Sequence, residues 1–141
     1  MRAILDRVLT LAVLLNDDMT RDLQRRGLTR SRAHLVWELH YRGPSTQQTL
    51  AKALRVTPRA ITGLVDALVE SGFVTREPHP DDRRATLVTF TKLGQKTATA
   101  LERDHIEFAR KLFSDLPDTT YLGFARGLDT VLDRLRGLLE G

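Results

Sequence analysis

Two helix-start signals stand close together, at Thr46 and at Thr57-Pro58, and they constrain the fold more than any other feature of this sequence. Threonine is a favourable N-cap residue, and proline is tolerated in a first helical turn because its missing N–H has no intrahelical partner there. Apolar residues follow each signal at three- and four-residue spacing, and Gly72 is placed to close the second segment. Residues 46–72 therefore predict two short helices in the arrangement of a helix-turn-helix.

A β-hairpin is predicted directly after these helices. Residues 73–77 and 85–90 alternate with the two-residue period of strands, and the charged segment between them contains two prolines that interrupt a sheet. Arg83 and Arg84 in this loop have little structural use, since exposed charges add almost nothing to stability. Beside a helix that enters a DNA groove, they would face phosphates or a narrow minor groove. Asp82 is expected to pair with an arginine and to hold the loop in shape.

Longer apolar patterns flank this region on both sides. They predict helices over residues 3–25, from Thr29 or Ser31 to about Tyr41, from Thr91 to about Phe113, and from 118 to the C-terminus. The predicted fold is mainly α with a small β-hairpin, a winged helix-turn-helix flanked by N- and C-terminal dimerisation helices. We expect one domain, 1–141, with the winged region at 28–91 and the dimerisation helices at 1–27 and 92–141.

The terminal helices also predict a homodimer. Their apolar faces are too extensive for a lone chain of 141 residues, and leaving them in water would create a larger apolar patch than monomers normally tolerate. A second copy of the chain is the simplest cover. A compact monomeric bundle is the alternative.

Composition excludes several classes of protein. The chain has no cysteine, which excludes disulfides, thiolate metal sites and cysteine nucleophiles. Its most apolar run, residues 8–15, is far shorter than the roughly 20 residues of a membrane-spanning helix, so we expect a cytoplasmic protein with no membrane partner. The net charge of +4 favours an anionic partner, and the excess lies in residues 28–91, where nine Lys or Arg stand against six acids.

The second helix of the helix-turn-helix carries a polar face that suits a DNA groove. Opposite its apolar face stand small or hydrogen-bonding residues, which allow the backbone to approach base edges in the major groove: Arg59, Ala60, Thr62, Gly63, Asp66 and Ala67. An ordinary solvated face of an amphipathic helix is the alternative for this helix taken alone. The hairpin that follows favours the DNA-binding interpretation.

At this point the chain resembles the MarR-type transcriptional regulators. The resemblance covers the whole chain in length and element order, and its specific part lies at about residues 45–95. The segments that carry it are Thr46–Ala51, Ile61–Leu68, Gly72–Arg76, the wing Asp81-Asp82-Arg83-Arg84, and Phe90–Gly94. The Asp-Arg-Arg wing followed by the Thr-x-x-Gly helix start is the strongest piece.

The resemblance implies an obligate homodimer in which the first and last two helices of each subunit interlock. Such a dimer reads a near-palindromic site in double-stranded DNA, and many members are repressors released by a small aromatic or phenolic molecule. The residues predicted to contact DNA are Thr46, Gln47, Thr57, Arg59, Ala60, Thr62, Gly63, Arg76, Arg83 and Arg84. The chain departs from the family pattern at Thr49, where Glu is frequent, at Ala67, where Arg or Lys is frequent, and at His79, where Asp is usual.

Other classes of site find little support. No glycine-rich phosphate loop, HExxH motif or nucleophile elbow is present, so an enzyme is not expected, nor is a cofactor. His34 and Glu38 lie one helical turn apart but lack the further ligands of a metal site, and no metal is expected. His34, Trp37 and Tyr41 share a helix face that would line an effector pocket, although aromatic packing between layers is the more common use of such a face. The competing function is a winged-helix module that binds protein without specific DNA binding.

Overall fold

The computed structural model describes residues 1–141 as six helices and one two-stranded sheet. The elements, in chain order, are α1 (Arg2–Arg25), α2 (Arg30–Arg42), α3 (Gln47–Leu54), α4 (Pro58–Glu70), β1 (Val74–Pro78), β2 (Thr86–Phe90), α5 (Lys92–Phe113) and α6 (Asp118–Glu140). This order confirms the predicted fold, mainly helical with a hairpin between α4 and α5. None of these helices is both long and apolar enough to span a bilayer.

Threonine side chains begin three of the helices in the winged region. The hydroxyl oxygens of Thr29, Thr46 and Thr57 each accept a hydrogen bond from the backbone N–H three residues later, at 3.2, 3.2 and 3.1 Å. These bonds satisfy N–H groups that have no partner inside the helix. At the other end of α4, Gly72 has φ = +86°, the left-handed conformation that was predicted to close this helix.

The core lies among α2, α3, α4 and the hairpin. Its largest fully buried side chains come from all of these elements: Leu35, Val36, Leu39, Leu50, Ile61, Val65, Leu68, Val74 and Val88. The apolar spacing of α4 predicted Ile61, Val65 and Leu68 correctly. It also assigned Val69 to the buried face, which is wrong, because Val69 lies at the edge of the apolar stripe and is 38% exposed.

The hairpin is antiparallel, with register from Val74 opposite Phe90 to Pro78 opposite Thr86. Pro78 was predicted to lie in the loop, but it is the last residue of β1. A proline is tolerated at such a strand end because the ladder does not need its N–H there. Ser45, which lies outside the hairpin, forms an isolated antiparallel bridge with Val88 of β2. Its backbone N–H donates to Val88 O at 3.2 Å, and Val88 N–H donates to Ser45 O at 2.7 Å.

The start of α5 is fixed against the hairpin by backbone contacts. The Thr91 hydroxyl caps α5 by accepting from Gly94 N–H at 3.0 Å, and it donates to the carbonyl oxygen of Gly72 at 2.5 Å. Gly94 lies so close to the backbone that a Cβ there would stand 1.8 Å from Phe73 O. Only glycine fits at this position, which gives the Thr-x-x-Gly sequence a physical cause.

The chain divides into two compact units, residues 1–100 and 101–141. In the first unit, α1 buries a single residue, Leu23. In the second unit, α6 buries none, and the rings of Tyr121 and Phe124 lie 6.4 and 6.2 Å from the ring of Phe113 at the end of α5. The prediction of one domain with boundaries at 27 and 92 stays a prediction.

Candidate nucleic-acid interface

The outward face of α4 is exposed along its length. Arg59, Ala60, Thr62 and Gly63 all lie in the first two turns and are exposed to solvent. A Cβ built on Gly63 would meet no atom within 4 Å, so packing inside the chain does not require glycine there. The face predicted to approach base edges is therefore free to receive an outside partner.

One edge of this face is tied to α3 and to the hairpin. Arg76 Nε, on β1, donates to Gln47 Oε1 at 3.0 Å, and another nitrogen of the same guanidinium donates to Asp66 Oδ1 at 2.5 Å. Gln47 Nε2 in turn donates to Thr62 Oγ1 at 3.1 Å. We call Gln47, Thr62, Asp66 and Arg76 the clasp. Three of its four members were predicted to contact DNA, and the structure brings them together.

The start of α3 has its own local bond. The Thr46 hydroxyl donates to Thr49 Oγ1 at 3.0 Å in addition to accepting from the Thr49 N–H. Thr49 thus takes part in the cap where the family often has Glu. Thr46 and Thr57 stand at the starts of α3 and α4, where backbone N–H groups and the helix dipole favour anions.

The loop of the wing, residues 79–85, is shaped by two side-chain acceptors. His79 Nδ1 accepts from the backbone N–H groups of Asp81 at 3.0 Å and Asp82 at 3.2 Å. Asp82 Oδ1 accepts from the backbone N–H of Arg84 at 3.0 Å. The expected pairing of Asp82 with an arginine side chain is wrong: Asp82 does hold the loop, but through the backbone, because its carboxylate reaches the nearer N–H two residues on.

The side chains of Arg83 and Arg84 take no part in this local network. Both are exposed, and neither forms an ion pair within the chain. Arg76 differs from them, since its side chain is 31% exposed and paired with Asp66. All three arginines were predicted to contact DNA, but only Arg76 is paired with a carboxylate of the chain.

The three residues predicted for an effector pocket have different contacts. Trp37 and Tyr41 stack on each other, with ring centroids 5.7 Å apart and an interplanar angle of 10°. His34 instead lines a cleft of about 350 Å³, whose other walls come from the start of α2, the α3–α4 turn and α4: Ser31, Leu54, Val56, Ala60, Gly63 and Leu64. An effector pocket at His34, Trp37 and Tyr41 stays a prediction.

Sequence reasoning missed the partners that fix this surface. Asp66 was noticed only as a member of the polar face, and Ser45 not at all. His79 was noted only as a departure from a family pattern. The signal that was available for Asp66 is its position one helical turn after Thr62, which places both on the same side of α4. Nothing in the local sequence indicates that Arg76 reaches them.

Two known proteins that are similar to this chain are described as HTH-type transcriptional regulators. The chain is 27% identical over 101 residues to the uncharacterized HTH-type transcriptional regulator YhbI of Bacillus subtilis, covering 72% of this chain and 65% of YhbI. It is 38% identical over 66 residues to the uncharacterized HTH-type transcriptional regulator ML2140 of Mycobacterium leprae, covering 47% of this chain and 46% of that protein. The chain thus spans about half to two thirds of these relatives. A sequence model of the MarR family matches residues 28–86. This part of the chain is a MarR-type winged helix-turn-helix.

Solved structures agree with this MarR-family fold. Streptococcus pneumoniae FabT, solved in complex with DNA, matches with a TM-score of 0.78 at 18% identity, covering 94% of this chain and 98% of that one. The family match covers α2, α3, α4 and β1 and ends at Thr86, the first residue of β2. The predicted winged helix-turn-helix of MarR type is confirmed.

Proposed function

We propose that the protein is a transcription regulator that binds double-stranded DNA through α4 and the wing. The observation that carries the proposal is the exposed face of α4, lined by small residues and Arg59. The wing in the same region carries Arg83 and Arg84, whose side chains form no ion pair within the chain. Small residues let a helix backbone approach base edges, and unpaired arginines bind phosphates or a narrow minor groove. The solved FabT complex with DNA supports this use of the fold.

We propose further that the protein acts as a homodimer on a near-palindromic operator. On α1, the large hydrophobic side chains that remain exposed are Ile4, Leu5, Val8, Leu9, Leu11, Val13, Leu14 and Met19. On α6 they are Tyr121, Leu122, Phe124, Leu128, Val131, Leu132, Leu135, Leu138 and Leu139. Apolar faces of this extent are normally covered in soluble proteins, and a second copy of the chain is the simplest cover for each of them. Two identical α4 helices related by a twofold axis match two half-sites of opposite direction.

The regulator is proposed to repress and to respond to a small aromatic or phenolic molecule in the cytoplasm. The support for this part is the behaviour of many members of the family and the cleft beside Ala60 and Gly63. A ligand in that cleft would contact the same helix that faces DNA.

A salt titration tests DNA binding. Duplex DNA from the intergenic region beside the gene is titrated with the protein at several salt concentrations, with an unrelated duplex of equal length as the control. We expect tighter binding to the intergenic duplex than to the control. The logarithm of the association constant should fall linearly with the logarithm of the salt concentration, with a slope of about −0.9 per neutralised phosphate. Weak binding that does not change with salt would instead favour the protein-binding module.

Sedimentation velocity tests the dimer independently of DNA. We expect a dimer at micromolar concentration, with the terminal helices protected from proteolysis. A monomer that keeps α1 and α6 folded would contradict the proposed assembly.

A further inference from the structure

Two of the five N–H groups of the Arg76 guanidinium are used inside the chain. Arginine recognises guanine or phosphate with two adjacent N–H groups of its planar fork. In Arg76, Nε is bonded to Gln47 Oε1 and a terminal nitrogen is bonded to Asp66 Oδ1. The side of the guanidinium formed by Nε and this terminal nitrogen is therefore occupied, and a two-bond contact with a phosphate on that side would break both bonds.

The clasp also fixes the amide of Gln47. Its oxygen accepts from Arg76 and its nitrogen donates to Thr62 Oγ1, while the Thr62 hydroxyl donates to Pro58 O at 2.9 Å. A glutamine amide has two donor hydrogens and an oxygen with two lone pairs. Gln47 therefore keeps one N–H and one lone pair for an outside partner, and the clasp sets the direction in which they point.

These contacts join three elements that are distant in sequence. Gln47 is the first residue of α3, Thr62 and Asp66 lie on α4, and Arg76 is the central residue of β1. The bond from Arg76 to Gln47 spans 29 positions of the chain. The start of α3, the outward face of α4 and the wing are thereby held as one rigid surface.

We propose that Asp66 and Arg76 are positioning residues that set DNA specificity, and that Arg76 does not contact a phosphate. They hold Gln47 and Thr62 in one orientation toward the base edges. This inference rests on the proposed DNA-binding function, and it reverses the role that the sequence assigned to Arg76.

The charge of Asp66 is the physical reason for keeping the pair intact on DNA. Its side chain is 60% exposed on the face of α4 that would meet the duplex, where a lone carboxylate would repel phosphates. Paired with Arg76, the carboxylate is neutralised. A phosphate that took over the N–H groups of this pair would leave Asp66 unpaired against the duplex, so we expect the pair to stay intact on DNA.

The test compares specificity with the number of phosphate contacts. The wild-type chain first selects a duplex from a randomised pool, and a scrambled duplex of the same composition is the reference. Both duplexes are then titrated at several salt concentrations with Arg76→Gln, Arg76→Lys, Asp66→Asn and the double variant of Arg76→Gln and Asp66→Asn. Arg84→Ala, which removes a wing arginine outside the clasp, is the control.

For Arg76→Gln we expect the affinity ratio of selected to scrambled duplex to fall about tenfold, with an unchanged salt slope. Arg76→Lys should lose nearly as much, although it keeps the charge, because an ammonium group lacks the planar fork that serves Gln47 and Asp66 together. Arg76→Gln combined with Asp66→Asn should lose no more than Arg76→Gln alone, since the two residues act as a unit. Arg84→Ala should lower the slope by about 0.9 and weaken both duplexes equally.

Two outcomes would contradict the proposed role of the clasp without contradicting the proposed DNA-binding function. Either the ratio stays unchanged in Arg76→Gln, or that variant lowers the slope by about 0.9 and weakens both duplexes equally, which identifies a phosphate contact. Thermal unfolding of each variant, compared with wild type, identifies any loss of fold, and Asp66→Asn keeps the shape of the side chain if Arg76→Gln unfolds. A wild-type chain that selects no sequence overturns the proposed function together with the clasp.

Discussion

The winged region and the terminal helices are made of similar amphipathic segments, but they place their apolar faces differently. In residues 28–91, α2, α3, α4 and the hairpin bury apolar side chains against one another. By contrast, α1 buries only Leu23 and α6 buries no residue. The winged region has the core of a self-sufficient fold, whereas the terminal helices have faces that this chain alone does not cover. The difference separates residues that stabilise the chain from residues that we propose to contact a second copy.

The largest expected effect is on the core of the winged region. Leu39→Ala removes a fully buried side chain from α2, and we expect the free energy of unfolding to fall by about 2–5 kcal/mol. Urea denaturation followed by circular dichroism measures it. Because the contacts of Leu39 are internal, the loss should be the same at low and high protein concentration. If the loss of unfolding free energy disappeared at high protein concentration, the core of the winged region would not be self-sufficient.

A second prediction concerns the exposed face of α6. Leu132→Asp places a charge within this face, and we expect the dimer dissociation constant to rise at least about 30-fold. Sedimentation velocity over a range of concentrations measures it. The matched control is Thr130→Asp, which adds the same charge on the other side of the helix. Equal effects of the two substitutions would mean that the apolar face is not the contact.

The third prediction concerns a part of the winged region that does not support its fold. Arg84→Ala should weaken DNA binding about three- to tenfold while leaving the midpoint of thermal unfolding unchanged, because the side chain has no partner in the chain. Fluorescence anisotropy and thermal denaturation provide the two measurements. Arg126→Ala removes the same charge from an exposed position of α6 and should change neither. Wild-type affinity in Arg84→Ala would remove the wing from the interface.

The smallest expected effect is at Gly63. Glycine inside a helix costs about 0.5–1 kcal/mol relative to alanine, and a Cβ at this position meets no neighbour. Gly63→Ala should therefore raise the free energy of unfolding by about that amount and weaken DNA binding, where the added methyl group meets the duplex. Chemical denaturation and a DNA titration of the same preparation test both parts. Destabilisation by alanine would show that the outward face of α4 is packed within the chain.

The sequence predicted the features that local hydrogen bonding determines. Thr46 and Thr57 bond N–H groups three residues away, and Gly72 is needed for a positive φ, so a short window contains the whole cause. It failed where the partner is distant. The bond from Arg76 to Gln47 and the bridge between Ser45 and Val88 exist only because the fold brings these segments together. The family resemblance alone therefore assigned Arg76 to an outside partner.

The contact between Gly94 and the carbonyl of Phe73 has a mechanical consequence. Two backbones meet there with no side chain between them that could change rotamer and absorb a displacement. We therefore expect the first turn of α5 and the base of the hairpin to move together. A tilt of this helical turn should then displace Arg83 and Arg84 in the loop of the hairpin.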